Sequence, residues 1–265
     1  MALKIQTRPT HLVTKAIAVF GFLVLYIPLV TMVVYSFLGH RQGFGTPQEW
    51  TLEWYQKLLS NDVVWGAFNV SCIVAGWNML GATILGTAAA FAITRSQFPG
   101  RKLFDALTYV PLIMPEIVMG LSLLIWFVIL RMTLGLYSII IAHITFSVSY
   151  VIITVKGRLQ ESDESLTEAA RDLGATGWQT FWHVTLPLIW PSILSGALMA
   201  FTLSFDDFLI TFFTAGVGSD TLPLKIYSMI KFGVTPEINA LSTIMLGATF
   251  LLVSYFFKSA QHSRR

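Results

Sequence analysis

Apolar residues along this chain come in long blocks, not in the alternating pattern of a strand or the every-third-or-fourth pattern of a half-buried helix. Six blocks are about 20 residues or longer, the length a helix needs to cross a bilayer. They cover residues 16–38, 63–94, 107–130, 134–155, 188–215 and 239–257. The second and fifth are longer than required and are predicted to tilt or to project beyond the lipid. The first follows Lys4, Arg8 and Lys15. It is too long for a signal-peptide core and lacks a small-x-small cleavage site, so it reads as a retained anchor.

The polar stretches between the blocks are short and punctuated. "LEWYQKLL" (52–59) and "LPLKIYSMIKFG" (222–233) set apolar residues at helical spacing among polar ones. They are predicted as short amphipathic helices lying on the membrane interface. Residues 156–187 carry the signals of two further helices. Ser165 with Glu168 three residues on is a capping box, Gly174 suits a left-handed C′ position, and Thr176 with Gln179 is a second capping box. The reading is helix, sharp turn, helix, with Trp178, Phe181 and Trp182 forming an aromatic surface on the second helix.

Composition turns these blocks into a class. With 55% hydrophobic and only 12% charged residues, and a mean hydropathy of +0.69, the chain is a membrane protein; a soluble domain carries about a quarter charged residues. The predicted fold is all-α, one transmembrane domain over residues 1–265 with six transmembrane helices. An even number of spans places both termini on one side. Of the 17 Lys and Arg, 12 lie in the tails and in the loops after spans two and four: Lys4, Arg8, Lys15, Arg95, Arg101, Lys102, Lys156, Arg158, Arg171, Lys258, Arg264 and Arg265. The opposite loops hold Arg41, Lys57, Arg131, Lys225 and Lys231. The tails and the capped helix pair are therefore predicted to be cytoplasmic. The net charge of +3 is scattered and forms no cluster that points to nucleic acid.

Catalytic chemistry finds no footing. The nearest approach to a phosphate-binding loop, "GATILG" at 81–86, is followed by Thr87 and Ala88 where Lys and Ser or Thr are needed, and it lies inside the second span. Its small residues read instead as a site of close helix packing. No nucleophile elbow, H-E-x-x-H or metal-spaced cluster occurs among His11, His40, His143, His183 and His262. The single cysteine, Cys72, excludes an intrachain disulfide and reads as a small buried hydrophobe.

Glu168-Ala169-Ala170, three residues, Gly174, nine residues, then Val184-x-Leu186-Pro187 resembles the E-A-A-x3-G-x9-I-x-L-P signature of ABC importer permeases, with Val184 the one conservative departure. The resemblance covers the core from about span two to span six. It implies a six-helix permease of the MetI-like type, in a bacterial cytoplasmic membrane, forming one half of a pore with a second, homologous permease. Two ATP-binding subunits would use ATP and Mg, a periplasmic or extracellular solute-binding protein would deliver cargo, and no cofactor would bind this chain. Glu168, Ala169, Ala170, Asp172, Gly174, Leu186 and Pro187 would couple it to the ATPase. Residues 204–243, "SFDDFLITFFTAGVGSDTLPLKIYSMIKFGVTPEINALST", are similar to the second permease subunit of spermidine/putrescine importers, which implies a polyamine cargo.

Three acids inside the apolar blocks agree with a cationic cargo, because a carboxylate in a span costs about 2.5 to 3.5 kcal/mol on insertion scales and is usually functional. They are Glu116, after Pro111 and Pro115 in span three, and the adjacent Asp206 and Asp207 in span five. Neighbouring positions on a helix point about 100° apart, so one aspartate can line a path while the other pairs with a donor such as Arg131, Lys225 or Lys231. Asp207 is taken as the principal counter-charge. Glu116 can also cap backbone N–H groups freed by the two prolines. Phe205, Phe208 and Trp126 are candidates to cover the methylenes and attract the ammonium groups. Other readings of the same residues are a permease for ferric ion or another small solute, or a secondary transporter with Asp206 or Glu116 as a proton relay.

Overall fold

The apolar blocks become helices, and two of them break where acids or prolines interrupt. The computed structural model describes residues 10–39, 49–232 and 236–262. Lys4, Arg8, His40, Arg41, Arg264 and Arg265, which enter the charge and histidine arguments, lie outside the described residues. In chain order the helices are α1 (Thr10–Ser36), α2 (Glu53–Leu59), α3 (Asp62–Arg95), α4 (Arg101–Leu107), α5 (Val110–Ile113), α6 (Glu116–Ile129) and α7 (Leu136–Glu161). There follow α8 (Glu164–Asp172), α9 (Gly177–Thr180), a π-helical turn (Phe181–Thr185), α10 (Leu186–Phe205), α11 (Leu209–Thr214), α12 (Leu222–Phe232) and α13 (Pro236–His262).

Among the described residues, four helices are long and apolar enough to cross a membrane: Val13–Ser36, Asp62–Arg95, Leu136–Glu161 and Gly177–Phe205. The pair Arg101–Ile113 and Glu116–Ile129, bent by 112°, makes a fifth span if counted as one broken element. The sixth predicted block, residues 239–257, lies within α13. The second block is overlong as expected: at about 1.5 Å per residue, α3 runs to roughly 50 Å, against about 30 Å of hydrocarbon.

Span three is not the single helix predicted over 107–130. Pro111 sits at the start of α5 and Pro115 immediately before α6. Each proline lacks an N–H and disfavours helix in the residue before it, so Met114 is extended (φ −69°, ψ 135°). Span five is likewise not continuous over 188–215. It begins earlier, at α9, and α10 stops at Phe205, with Asp206 to Phe208 outside helix before α11. Aspartate favours helix ends because its side chain competes for nearby backbone N–H groups. The two predicted interfacial helices form as α2 and α12.

The chain divides into two compact units, Val63–Tyr227 and the pair of segments Met1–Asp62 with Ser228–Arg265. In the larger unit α3, α7 and α10 share a core of Ala82, Ala90, Ile93, Val151, Val155, Ile189 and their neighbours. Close approach is what the small residues permit. A Cβ on Gly86 would lie 2.6 Å from Val151 Cβ, and one on Gly81 2.5 Å from Ile144 Cδ1. Asn78 pins the three helices together, its Nδ2 donating to Ser147 Oγ (3.0 Å) and to the Ala200 carbonyl (2.7 Å). A second core joins Met119 and Phe127 of α6, Ala142 and Phe146 of α7, and Ile210 of α11. Cys72 is half-buried, not fully buried as expected.

In the smaller unit α1 and α2 pack on α13. Trp54 and Leu58 of α2 are buried, and the Trp54 indole donates to the Leu38 carbonyl (2.7 Å). The α1 side chains from Val13 to Val30 are exposed along their whole length, leaving an apolar surface suited to lipid.

Candidate functional site

The polar loop folds as two short helices around a glycine turn. The first begins differently from expectation: its N-cap is Asp163, not Ser165. The Asp163 carboxylate accepts the Ser165 backbone N–H (2.9 Å). That bond and one from the Ser165 hydroxyl hold its carboxyl below the usual carboxylate range. The second cap forms as read. Thr176 Oγ1 accepts the Gln179 N–H (3.3 Å), and Gln179 Oε1 accepts the Thr176 N–H (2.8 Å). Gly174 has φ +88°, the left-handed conformation that closes α8. α9 runs without a break through the π-helical turn into α10.

On that loop Ala169, Asp172, Leu173 and Pro187 are exposed, while Ala170 and Leu186 are half-buried, Leu186 against the α3–α7–α10 core. Glu168 lines a cavity of about 400 Å³ together with Arg95, Arg171, Phe91 and Thr180. Trp178, Phe181 and Trp182 form one aromatic cluster with ring centroids 5.5–6.1 Å apart. Phe91 of α3 meets Phe181 edge to face at 5.4 Å.

A second cavity, of about 350 Å³, opens where spans three and five break. It gathers Glu116, Asp206, Asp207 and Phe208 with Phe146 and Tyr150 of α7. Two of the aromatic candidates are elsewhere. Trp126 is 60% exposed on α6 and does not line the cavity. Phe205 stacks on Phe201 (5.9 Å) and meets the edge of Phe68 (6.0 Å). Phe208 does line it and is backed by Tyr227 (4.7 Å between centroids). Glu116 is the first residue of α6, exposed, with no bond capping that helix.

The two aspartates have opposite environments. Asp207 is buried, and its carboxylate accepts the backbone N–H of Ile210 (3.3 Å) and of Thr211 (2.8 Å) and the Thr211 hydroxyl (2.9 Å). It thereby caps α11. Its side-chain partner is His143, with Nε2 3.3 Å from Oδ2, in place of Arg131, Lys225 or Lys231. Asp206 is exposed on the cavity and makes none of these bonds. Sequence reasoning passed over His143, Phe146 and Tyr150. The usable signal was His143 itself, an ionisable group inside an apolar span.

The packed helices α3, α7 and α10, a broken pair flanking an acidic cavity and a capped helix pair are the parts of an ABC importer's membrane subunit. The chain belongs to the family of binding-protein-dependent transport system inner membrane components, whose model matches residues 82–263. It is 42% identical over 239 residues to the putrescine transport system permease protein PotI of Escherichia coli (strain K12), covering 88% of this chain and 85% of that one. To the spermidine/putrescine transport system permease protein PotC of the same strain it is 39% identical over 229 residues, with 86% of each chain covered. Its fold matches a subunit in the crystal structure of a bacterial ABC transporter involved in importing the acidic polysaccharide alginate. That match has a TM-score of 0.75 at 16% identity and covers 97% of this chain and 99% of that one. The chain is thus a multi-pass inner membrane component of a bacterial importer, working with a binding protein and with an ATPase that hydrolyses the nucleotide.

Proposed function

We propose that this chain is one of two homologous permeases in a polyamine importer of the spermidine/putrescine class, with Asp206 and Glu116 holding cargo ammonium groups in the cavity. The observation that carries the reading is that cavity: two exposed carboxylates, Glu116 at the start of α6 and Asp206 in the break of span five, walled by Phe146, Tyr150 and Phe208. A polyamine carries ammonium groups separated by methylenes. Carboxylates on two elements can take two charges, in charge-assisted bonds about twice as strong as neutral ones. The aromatic walls cover the stem and add roughly 0.5–2 kcal/mol where a ring faces an ammonium. Asp207, committed to α11 and His143, has little capacity left for cargo.

The remaining parts follow the family plan. Six spans of the MetI-like type would put both tails and the α8–α9 knob in the cytoplasm, where one of two ATP-binding subunits would hold the knob through Glu168, Ala169, Ala170, Asp172 and Gly174. Closure of the ATPases on ATP would push α9 and, through the π-helical turn by Leu186 and Pro187, move α10. The break at Asp206 to Phe208 lies at the far end of that lever. Uptake, receptor-stimulated ATPase activity and complex yield measured together test the assignment. Asp206→Asn is expected to lower uptake by about tenfold or more, from loss of a partly desolvated charge pair, at normal yield. Asp207→Asn is expected to lower yield and thermal stability as well. Near-normal uptake by an Asp206→Asn, Glu116→Gln double variant would rule the cavity out as the cargo site.

A further inference from the structure

We infer that His143 is a positioning residue for the cargo cation: it holds the broken segment of span five so that Asp206 presents its carboxylate to the cavity. The inference rests on the proposal that Asp206 faces cargo. His143 is fully buried in α7 and reaches both sides of the break. Its Nδ1 lies 2.7 Å from Ser204 Oγ, on the last turn of α10, and its Nε2 lies 3.0 Å from Thr211 Oγ1, in α11. Asp206 to Phe208, the residues outside helix, are strung between those two anchors.

The proton on Nε2 can be placed by elimination. Nε2 faces the Asp207 carboxylate at 3.3 Å, and an ionised carboxylate only accepts, so Nε2 carries hydrogen. The Thr211 hydroxyl spends its own hydrogen on Asp207 Oδ2 (2.9 Å) and is left to accept from Nε2–H. Nδ1 pairs with the Ser204 hydroxyl in either state, accepting from it in the neutral ring and donating to its oxygen in the charged one. Every polar atom of the imidazole is satisfied, in a network that also includes the two backbone N–H groups bound by Asp207. A buried polar network satisfied in this way holds one geometry, and a partly satisfied one is costly. The segment is short: Asp206 is two residues from Ser204 and adjacent to Asp207, so its Cα has little freedom while both anchors hold.

Substitutions that keep one half of the imidazole separate this role from simple packing. Glutamine carries an amide N–H to about the place of Nε2 and keeps the contact with Asp207 and Thr211. Asparagine reaches only the place of Nδ1 and keeps Ser204. The ATPase-bound complex is prepared with each variant, and uptake per ATP hydrolysed is measured. In parallel, the same variants in an Asp206→Cys background are reacted with a cationic thiosulfonate, which reports the placement of residue 206 without requiring transport. His143→Gln is expected to keep at least about half of wild-type uptake and the parent thiol rate. His143→Asn is expected to lose about tenfold in uptake and to change the thiol rate severalfold at unchanged yield. Should His143→Asn fail to assemble, the near-isosteric Thr211→Val, which removes the shared hydroxyl, carries the same expectation. Equal behaviour of the Gln and Asn variants, or an unchanged thiol rate in the Asn and Val variants, overturns the positioning role. Asp206→Asn in the same series keeps the two ideas apart. Full uptake there refutes the cargo site itself, whereas its loss beside a wild-type-like His143→Asn refutes only the present inference.

Discussion

At Gly174 the space around the backbone is open, since nothing lies within 4 Å of an added Cβ, yet φ is +88°. The constraint is therefore conformational and not steric. A β-branched residue there costs on the order of 1–3 kcal/mol. Gly174→Val is expected to release the ATPase during purification and to abolish uptake while the spans still insert, and Gly174→Asn to retain most of both; co-purification and uptake assays read the difference. Asp163 makes a second prediction. Its carboxyl lies below the ordinary value, so the cap it provides is present above the ordinary carboxylate range and is lost as pH falls through the lowered folded value. Near neutrality it is complete, and Asp163→Ala, but not Ser165→Ala, is expected to weaken ATPase retention at pH 7. The Thr176–Gln179 box and Gly174 were legible because local spacing decides them. The choice of Asp163 over Ser165 was not, since both residue types are good caps and they lie two residues apart.

Helix contacts separate two glycines that look alike in sequence. The Cβ of Gly86→Ala would fall on the stiff Val151 side chain, at 2.6 Å from its Cβ and 2.8 Å from Cγ1, whereas that of Gly81→Ala would meet the movable end of Ile144. Overpacking costs typically about 1–3 kcal/mol, so Gly86→Ala is expected to lower the melting temperature of the purified complex clearly more than Gly81→Ala. The ion pair between Lys156 of α7 and Asp105 of α4, supported by Tyr109, also has unequal sides. Lys156 is mostly buried, and the Asp105 side chain is 33% exposed. Asp105→Ala strands a buried ammonium and is expected to be the more destabilising change; Lys156→Met leaves a carboxylate that water can reach. A thermal-shift comparison of the two, in which Lys156→Met was the worse, would contradict this. At this scale the positions of the long apolar helices could be read directly. Pro111 and Pro115 signalled the break in span three, but the break in span five could not be read, because hydropathy runs on through Asp206 and the partners that stabilise it, His143 with Ser204 and Thr211, are 61 and 68 positions apart.

For the whole molecule, the charge distribution sets the orientation, and two exposed sites can report it. Leu173, 90% exposed on the knob, and Val217, fully exposed between α11 and α12, are expected as cysteines in a Cys72→Ser background to label from opposite sides of the membrane. Leu173→Cys should react from the cytoplasm and be shielded when ATPase subunits are present. The account as a whole joins that knob to the acidic cavity through α9, the π-helical turn and α10. Its most direct test is uptake of labelled putrescine and spermidine into proteoliposomes holding the full complex, with the binding protein outside and ATP or a non-hydrolysable analogue inside. The account expects uptake of both amines with ATP alone, suppressed by excess polyamine and not by ferric ion, and lost in Asp206→Asn. Accumulation driven by a proton gradient without ATP, or uptake indifferent to Asp206, would contradict it.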